Sequence, residues 1–285
     1  SLMRDMLLKD MSGRRAIQAL HKLAAETKVL FYGSRRNQHA LEIAEHYRRA
    51  RDPQGVYVFT VKAARLAMAS SDLDTAIRLF RDAMVLSESD ATIEENLDVV
   101  QPSSLEEVSA VMRTEEVYLE VAHLELKVGE YGPARQHYRT LLKSGNREVA
   151  AWARWGLGEL ARVQGEFDES TGWFEAAIRE ARGLAERGAL DTASRVEAHC
   201  LHGLGEVDYL RGELRDASNR LKQALEKARS QDEKILETRI LRTLSDVVWK
   251  GGDAGTADIY RRRAGMLAET LGDDENLAYT NLHSA

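Results

Sequence analysis

The side chains best suited to chemistry by type and spacing are His199, His202 and Glu206, with Cys200 among them. Intervals of three and four residues set His199, His202 and Glu206 on one face of a helix, where imidazoles and a carboxylate could hold a transition metal. Three donors leave a tetrahedral site open, and the sequence offers no evident fourth. The face therefore reads first as polar residues of an interaction surface, with a metal-binding protein as the lesser alternative. Cys200 turns away from that face, and no basic partner that would favour a thiolate is obvious in the sequence. It reads as a small packed hydrophobe rather than a nucleophile.

Other signatures fail on context. Gly156-Leu157-Gly158-Glu159-Leu160-Ala161 meets the loose dinucleotide pattern, and Gly203-Leu204-Gly205 echoes it. That pattern cradles a pyrophosphate only when it follows a strand in a βαβ unit. Both copies instead sit inside helical periodicity at matching places, as glycines of close helix packing do. No Walker loop, His-Glu-x-x-His, Gly-x-Ser-x-Gly or paired-cysteine motif is present. The sequence thus predicts no catalytic residue, no cofactor and no metal, and a chain that is not an enzyme.

The elements that would position such residues are helices. The chain has 285 residues, 44% hydrophobic and 30% charged, with only 3 prolines, a balance that favours helix and allows a sizeable core. Mean hydropathy is -0.42, and no apolar run is long enough to span a bilayer. The stretch Met3-Arg4-Asp5-Met6-Leu7-Leu8-Lys9-Asp10 is too charged for a signal-peptide core. One cysteine excludes an internal disulfide framework and fits a reducing compartment, so a cytosolic protein is expected. Charge is uneven: residues 1–72 carry a net +6, residues 73–126 a net -10, and the remainder -2. The basic part, with Arg35-Arg36, Arg48-Arg49 and Arg51, lacks any nucleic-acid motif and reads as a solvated face, or one that docks on the acidic block.

Five turns repeat: Ser71-Asp72-Leu73-Asp74, Gly129-Glu130-Tyr131-Gly132, Gly165-Glu166-Phe167-Asp168, Gly212-Glu213-Leu214-Arg215 and Gly252-Asp253-Ala254-Gly255. Glycine ends a helix in the left-handed conformation without a Cβ clash, and the acid after it suits the positive end of the next helix. Three residues beyond the apolar turn residue stand Ala76, Ala134, Ser170, Ala217 and Ala257. Nine before it stand Ala64, Ala122, Gly158, Gly205 and Ser245. All ten are small, which locates where two helices cross closely. Seven beyond it come Phe80, Tyr138, Phe174 and Leu221, with Tyr260 next to the odd Arg261. Each turn reads as the joint of a helical hairpin.

At these residues the chain resembles a tetratricopeptide repeat protein. Leu157-Gly158, Gly165, Phe167, Phe174 and Ala177 match that family's pattern, and Leu204-Gly205, Gly212, Ala217, Leu221 and Ala224 match nearly as well. The family's proline at the end of the second helix is missing from every repeat, and the intervals between turns (58, 36, 47 and 40) are long. The longer-helix variety of the family is therefore implied. The fold expected is all-α, a right-handed α–α superhelix of stacked hairpins. Residues 1–56 would be N-terminal helices with a degenerate repeat around Gly33-Ser34, built on Ala16-Ile17-Ala19-Leu20-Leu23-Ala24 and Ala40-Ile43-Ala44-Tyr47. Residues 57–285 would hold about five repeats at 57–90, 115–146, 151–190, 198–231 and 238–271. An acidic insertion is expected near 87–113, with a capping box at Ser103/Glu106 or Ser104/Glu107. A last helix over 275–282 would cap the array, or be a truncated first arm if the chain is a fragment of something larger.

In the resembled family the first helices line a concave groove that takes an extended peptide or a partner helix. The positions carried over are Val61, Arg65, Leu119 and His123, then Trp152, Trp155, Glu159 and Arg162, then His199, His202, Glu206 and Tyr209, and last Arg239, Arg242, Asp246 and Trp249. Aromatic and arginine side chains dominate binding hot spots, so the implied partner is a protein or peptide with apolar and acidic residues. Neither nucleic acid nor membrane is expected, and a homo-oligomer is allowed. The family's carboxylate clamp and asparagine ladder are absent, which leaves the ligand unnamed. The reading is a non-catalytic protein-interaction scaffold, or a regulatory, sensing segment of a larger bacterial signalling or transcription protein.

Overall fold

The computed structural model describes residues 2–89, 93, 112–273 and 276–278, and every regular element among them is a helix. The anticipated capping boxes at 103–107 lie outside the described residues, as does most of the 275–282 helix, of which 276–278 are helical. The chain divides into two compact units, Ser1–His137 and Tyr138–Ala285.

The first unit begins with α1 (Leu2–Tyr32), a 3-10 segment (Gly33–His39) and α2 (Ala40–Ala50). Then follow α3 (Pro53–Ala69), α4 (Leu73–Ser89) and α5 (Thr114–Val128). The division falls inside α6 (Tyr131–Leu141). The second unit continues with α7 (Arg147–Val163), α8 (Phe167–Ala185), α9 (Leu190–Arg211), α10 (Leu214–Ser230), α11 (Lys234–Lys250) and α12 (Ala254–Leu271).

All five repeated turns join two helices, and in each the apolar turn residue is the first of the second arm. Ser71, Gly129, Gly165, Gly212 and Gly252 have φ of 61°, 86°, 79°, 83° and 92°. The amide of the acid that follows donates five residues back, as in Glu130 to Glu125, Glu166 to Ala161 and Glu213 to Asp208 (2.8–2.9 Å). This satisfies a carbonyl that the helix end would otherwise orphan. The aspartates also cap by side chain: Asp72 accepts from the Thr75 amide (3.2 Å) and Asp253 from the Thr256 amide (3.0 Å). Glu166 and Glu213 make no such bond and act through charge at the helix start.

The small residues are all buried at the arm crossings. Two of them lock the contact: the Ser170 hydroxyl donates to the Gly158 carbonyl and Ser245 to that of Ala257, both at 2.9 Å. The doubled glycines seat aromatic rings. A β-carbon at Gly156 would fall 2.2 Å from the Tyr138 ring, and one at Gly203 2.3 Å from Phe174. That is the physical content of the dinucleotide-like pattern here.

One apolar stripe differs from expectation. Ile17, Leu20 and Leu23 are exposed, because α1 lays Ala25 and Val29 against the core instead. Val61 of α3 is likewise core rather than groove. The basic pair Arg48 and Arg49 is engaged within its own helix by Glu45 (2.6 and 2.9 Å).

Candidate functional site

Within the second unit the first arms α7, α9 and α11 carry most of the anticipated groove residues, and their side chains meet across arms. Trp152 and Trp155 lie one turn apart on α7 with ring centroids 5.7 Å apart, edge to face. His199 of α9 stands edge-on to both, at 5.1 and 5.3 Å. Both tryptophans are partly buried against the core of this unit while keeping exposed edges. Edge-to-face rings at these spacings form a stiff apolar wall.

Two turns along α7, Arg162 donates to Glu159 (2.7 Å) and lies 3.3 Å from Glu206 of α9. His202 sits 3.7 Å from Glu206 and 3.4 Å from the Thr243 hydroxyl of α11. Burial opposes the charge on Glu206, but His202, Arg162, Arg242 and Arg239 around it hold its pKa below the usual carboxylate value. Burial would lower Arg162 too, yet Glu159 and Glu206 hold it above the ordinary arginine value. His202 is lowered by burial, which outweighs Glu206 and Glu159. Its imidazole is buried, not part of an exposed polar face.

Farther on, Arg242 donates to the buried Asn276 (3.1 Å). Asp246 faces Tyr209, whose ring carries the Lys250 ammonium at 4.9 Å. Trp249 is 67% exposed at the end of α11. A row thus runs over α7, α9 and α11: aromatic at one end, ionic and arginine-rich in the middle, aromatic again at Tyr209 and Trp249.

The metal face does not assemble. His199 is engaged with the tryptophans, and among the described residues no three His, Cys, Asp or Glu side chains are grouped to hold an ion. Cys200 is fully buried, which pushes its thiol pKa well up. Arg65 and His123 belong to the first unit. Arg65 is exposed and faces Glu120, and burial takes His123 down to about 4, so it carries no charge for an acidic ligand near neutrality.

Three residues of the row were not among the anticipated ones. Thr243 occupies the repeat position that Gly156 and Gly203 hold in the two preceding hairpins, so aligning the turns points to it. Lys250 and Asn276 have no such signal.

No protein-family model matches the chain, and no curated protein does. Solved structures do. The Rap conjugation gene regulator of the plasmid pLS20, in complex with the Phr* peptide, matches 83% of this chain and 58% of its own, with 16% identity and a TM-score of 0.62. This chain therefore spans little more than half of that regulator. NprR in complex with its cognate peptide NprX matches over 94% and 74% at 11% identity and TM-score 0.56. BtubC from P. vanneervenii matches over 87% and 92% at 18% identity and TM-score 0.53. The chain has a tetratricopeptide-like helical repeat fold. In that fold the row stands on the first arms α7, α9 and α11, and Asn276, beyond α12, meets it at Arg242. Among the described residues no helix is long and apolar enough to cross a membrane.

Proposed function

We propose that this chain is a non-catalytic protein-interaction module that holds a peptide or partner helix along the first arms α7, α9 and α11. One observation carries the reading: the Trp152–Trp155–His199 wall and the Arg239 and Arg242 side chains lie on one row of a single compact unit. Stiff aromatic walls take apolar side chains with little loss of entropy, and guanidinium groups take carboxylates. Arg162 is committed to Glu159 and Glu206, so acidic ligand residues would meet Arg239 and Arg242. Two of the structures with a similar fold, the Rap regulator and NprR, are complexes with peptides, which supports a peptide as the ligand.

Peptides selected on the purified chain from a randomised library, then titrated calorimetrically, test this. Trp152→Ala combined with Arg242→Ala should abolish binding while circular dichroism stays unchanged. Arg239→Ala, which leaves the Asn276 contact in place, should weaken binding of acidic peptides alone. Full binding by the double variant would sink the assignment.

The same site would serve a regulatory segment, as the Rap protein of similar fold is a conjugation gene regulator. A DNA-binding or kinase domain encoded in the same gene would favour that version.

A further inference from the structure

In the first unit, α1 carries an apolar face turned away from its own core. Ile17, Leu20, Leu23, Leu30 and Phe31 are each between 56% and 78% exposed. Single exposed leucines are ordinary, but these five form one stripe. Together they expose roughly 600 Å², as much as the largest apolar patch of a typical monomer, and such patches mark interaction sites.

The helix cannot turn this stripe inward without losing its hold on the unit. On the opposite side Ala25 and Val29 belong to the core. Lys22 pairs with Asp52 at 2.9 Å, Lys28 pairs with Glu42, and the His21 and His46 rings meet at 3.2 Å, Nδ1 to Nδ1. Rotating α1 would break all of these at once. The stripe therefore needs a partner from outside.

Spacing and charge limit that partner. Ala16, Leu20, Leu23, Thr27 and Leu30 follow one another in steps of four, three, four and three, the seam of a two-stranded coil, so the surface fits another helix. Directly beside the seam stand Ile17, Ala19, Ala24, Glu26 and Phe31, of which only Glu26 is charged, and Lys22 one turn before attracts it. An acidic helix or an anionic bilayer would be drawn by a row of cations along the seam. Here the lysines Lys22 and Lys28 are held on the body side by Asp52 and Glu42. A second copy needs no such row, because a two-fold axis sets the same apolar face against itself. With the exposed Ala16, Ala19 and Thr27 the face supplies most of the roughly 800 Å² per partner that a specific dimer buries. We propose that this chain forms a two-fold dimer through α1, each copy covering the Ile17–Phe31 stripe of the other.

Analytical ultracentrifugation of the full chain from micromolar to tens of micromolar tests it. A dimer should form within that range, with a thermal midpoint that rises with concentration. Leu20→Glu combined with Leu30→Glu should raise the dimer dissociation constant at least about a hundredfold by setting like charges together in an apolar seam. Helicity should be retained, since both side chains lie outside the core. Ile259→Glu, at an equally exposed position on α12, should leave the dimer intact. Trp152→Ala should do the same, which separates this surface from the aromatic row. A monomer across the whole range, or a dimer that survives the double variant, would overturn the proposal. So would a chain that stays monomeric and binds vesicles of anionic lipid through Leu20 and Leu30.

Discussion

A β-carbon on Gly158 would fall 2.6 Å from the Phe174 ring, so the phenylalanine of the second arm fills the place of a side chain on the first. Phe174 is fully buried and is pressed as closely by Gly203. Alanine at 158 or 203 should therefore cost about 1–3 kcal/mol by overpacking, despite its better helix propensity. Gly172, on α8, has open space around its α-carbon. There alanine should stabilise by about 0.5–1 kcal/mol. Chemical denaturation of the three variants checks both signs, and a common sign would contradict the packing account.

Ser71 holds the left-handed turn position that glycine holds in the other four repeated hairpins. A side chain there is strained by about 1–2 kcal/mol. Ser71→Gly should raise stability by up to that amount and Gly165→Ala should lower it similarly. Opposite shifts in thermal midpoint are the readout.

Glu125 is fully buried, and Arg81 (2.7 Å) and His137 (2.8 Å) satisfy it. Removing Arg81 leaves a buried carboxylate short of its main partner. Arg81→Ala should destabilise by about 1–3 kcal/mol, the cost of an unsatisfied buried acceptor, because the half-exposed Arg81 is screened by solvent. Glu125→Leu with Arg81→Met should recover much of the loss, because no buried charge remains. If the double variant proves as unstable as the single one, the network is not the cause.

His123 gives a pH dependence of definite sign. Burial lowers its pKa to about 4, against an unfolded value near 6.5, so the unfolded chain binds the proton more readily. The stability it contributes is present above about pH 6.5 and is lost as pH falls towards 4, by at most about 3 kcal/mol. His202 is shifted the same way and adds to the slope. His123→Leu should flatten the stability curve between pH 6.5 and 4 relative to the parent. An unchanged slope in urea titrations at stepped pH would refute the assignment.

Legibility in the sequence followed locality. The hairpin joints could be read because a left-handed glycine, an acid and paired small residues act within about a dozen positions of one another. Phe167 opening α8 and Ser170 bonded to Gly158 were implicit in that spacing. Contacts between hairpins were harder to read. That Arg162 is spent on Glu206, or that His202 turns inward to Thr243, depends on how neighbouring arms stack, and no local spacing encodes it. The stripe of Ile17, Leu20 and Leu23 misled for a related reason. Periodicity shows that a helix has an apolar face but not which face finds a neighbour, and here Ala25 and Val29 do.

The central claim is that ligand lies along α7, α9 and α11 and not along the second arms. A photo-reactive amino acid placed singly at Tyr209 or Trp249, and for comparison at the exposed Arg179 of α8 or Lys222 of α10, would be irradiated with a library-selected peptide. Cross-links should form from positions 209 and 249, and from neither 179 nor 222. Cross-linking mainly from 179 and 222 would contradict the account.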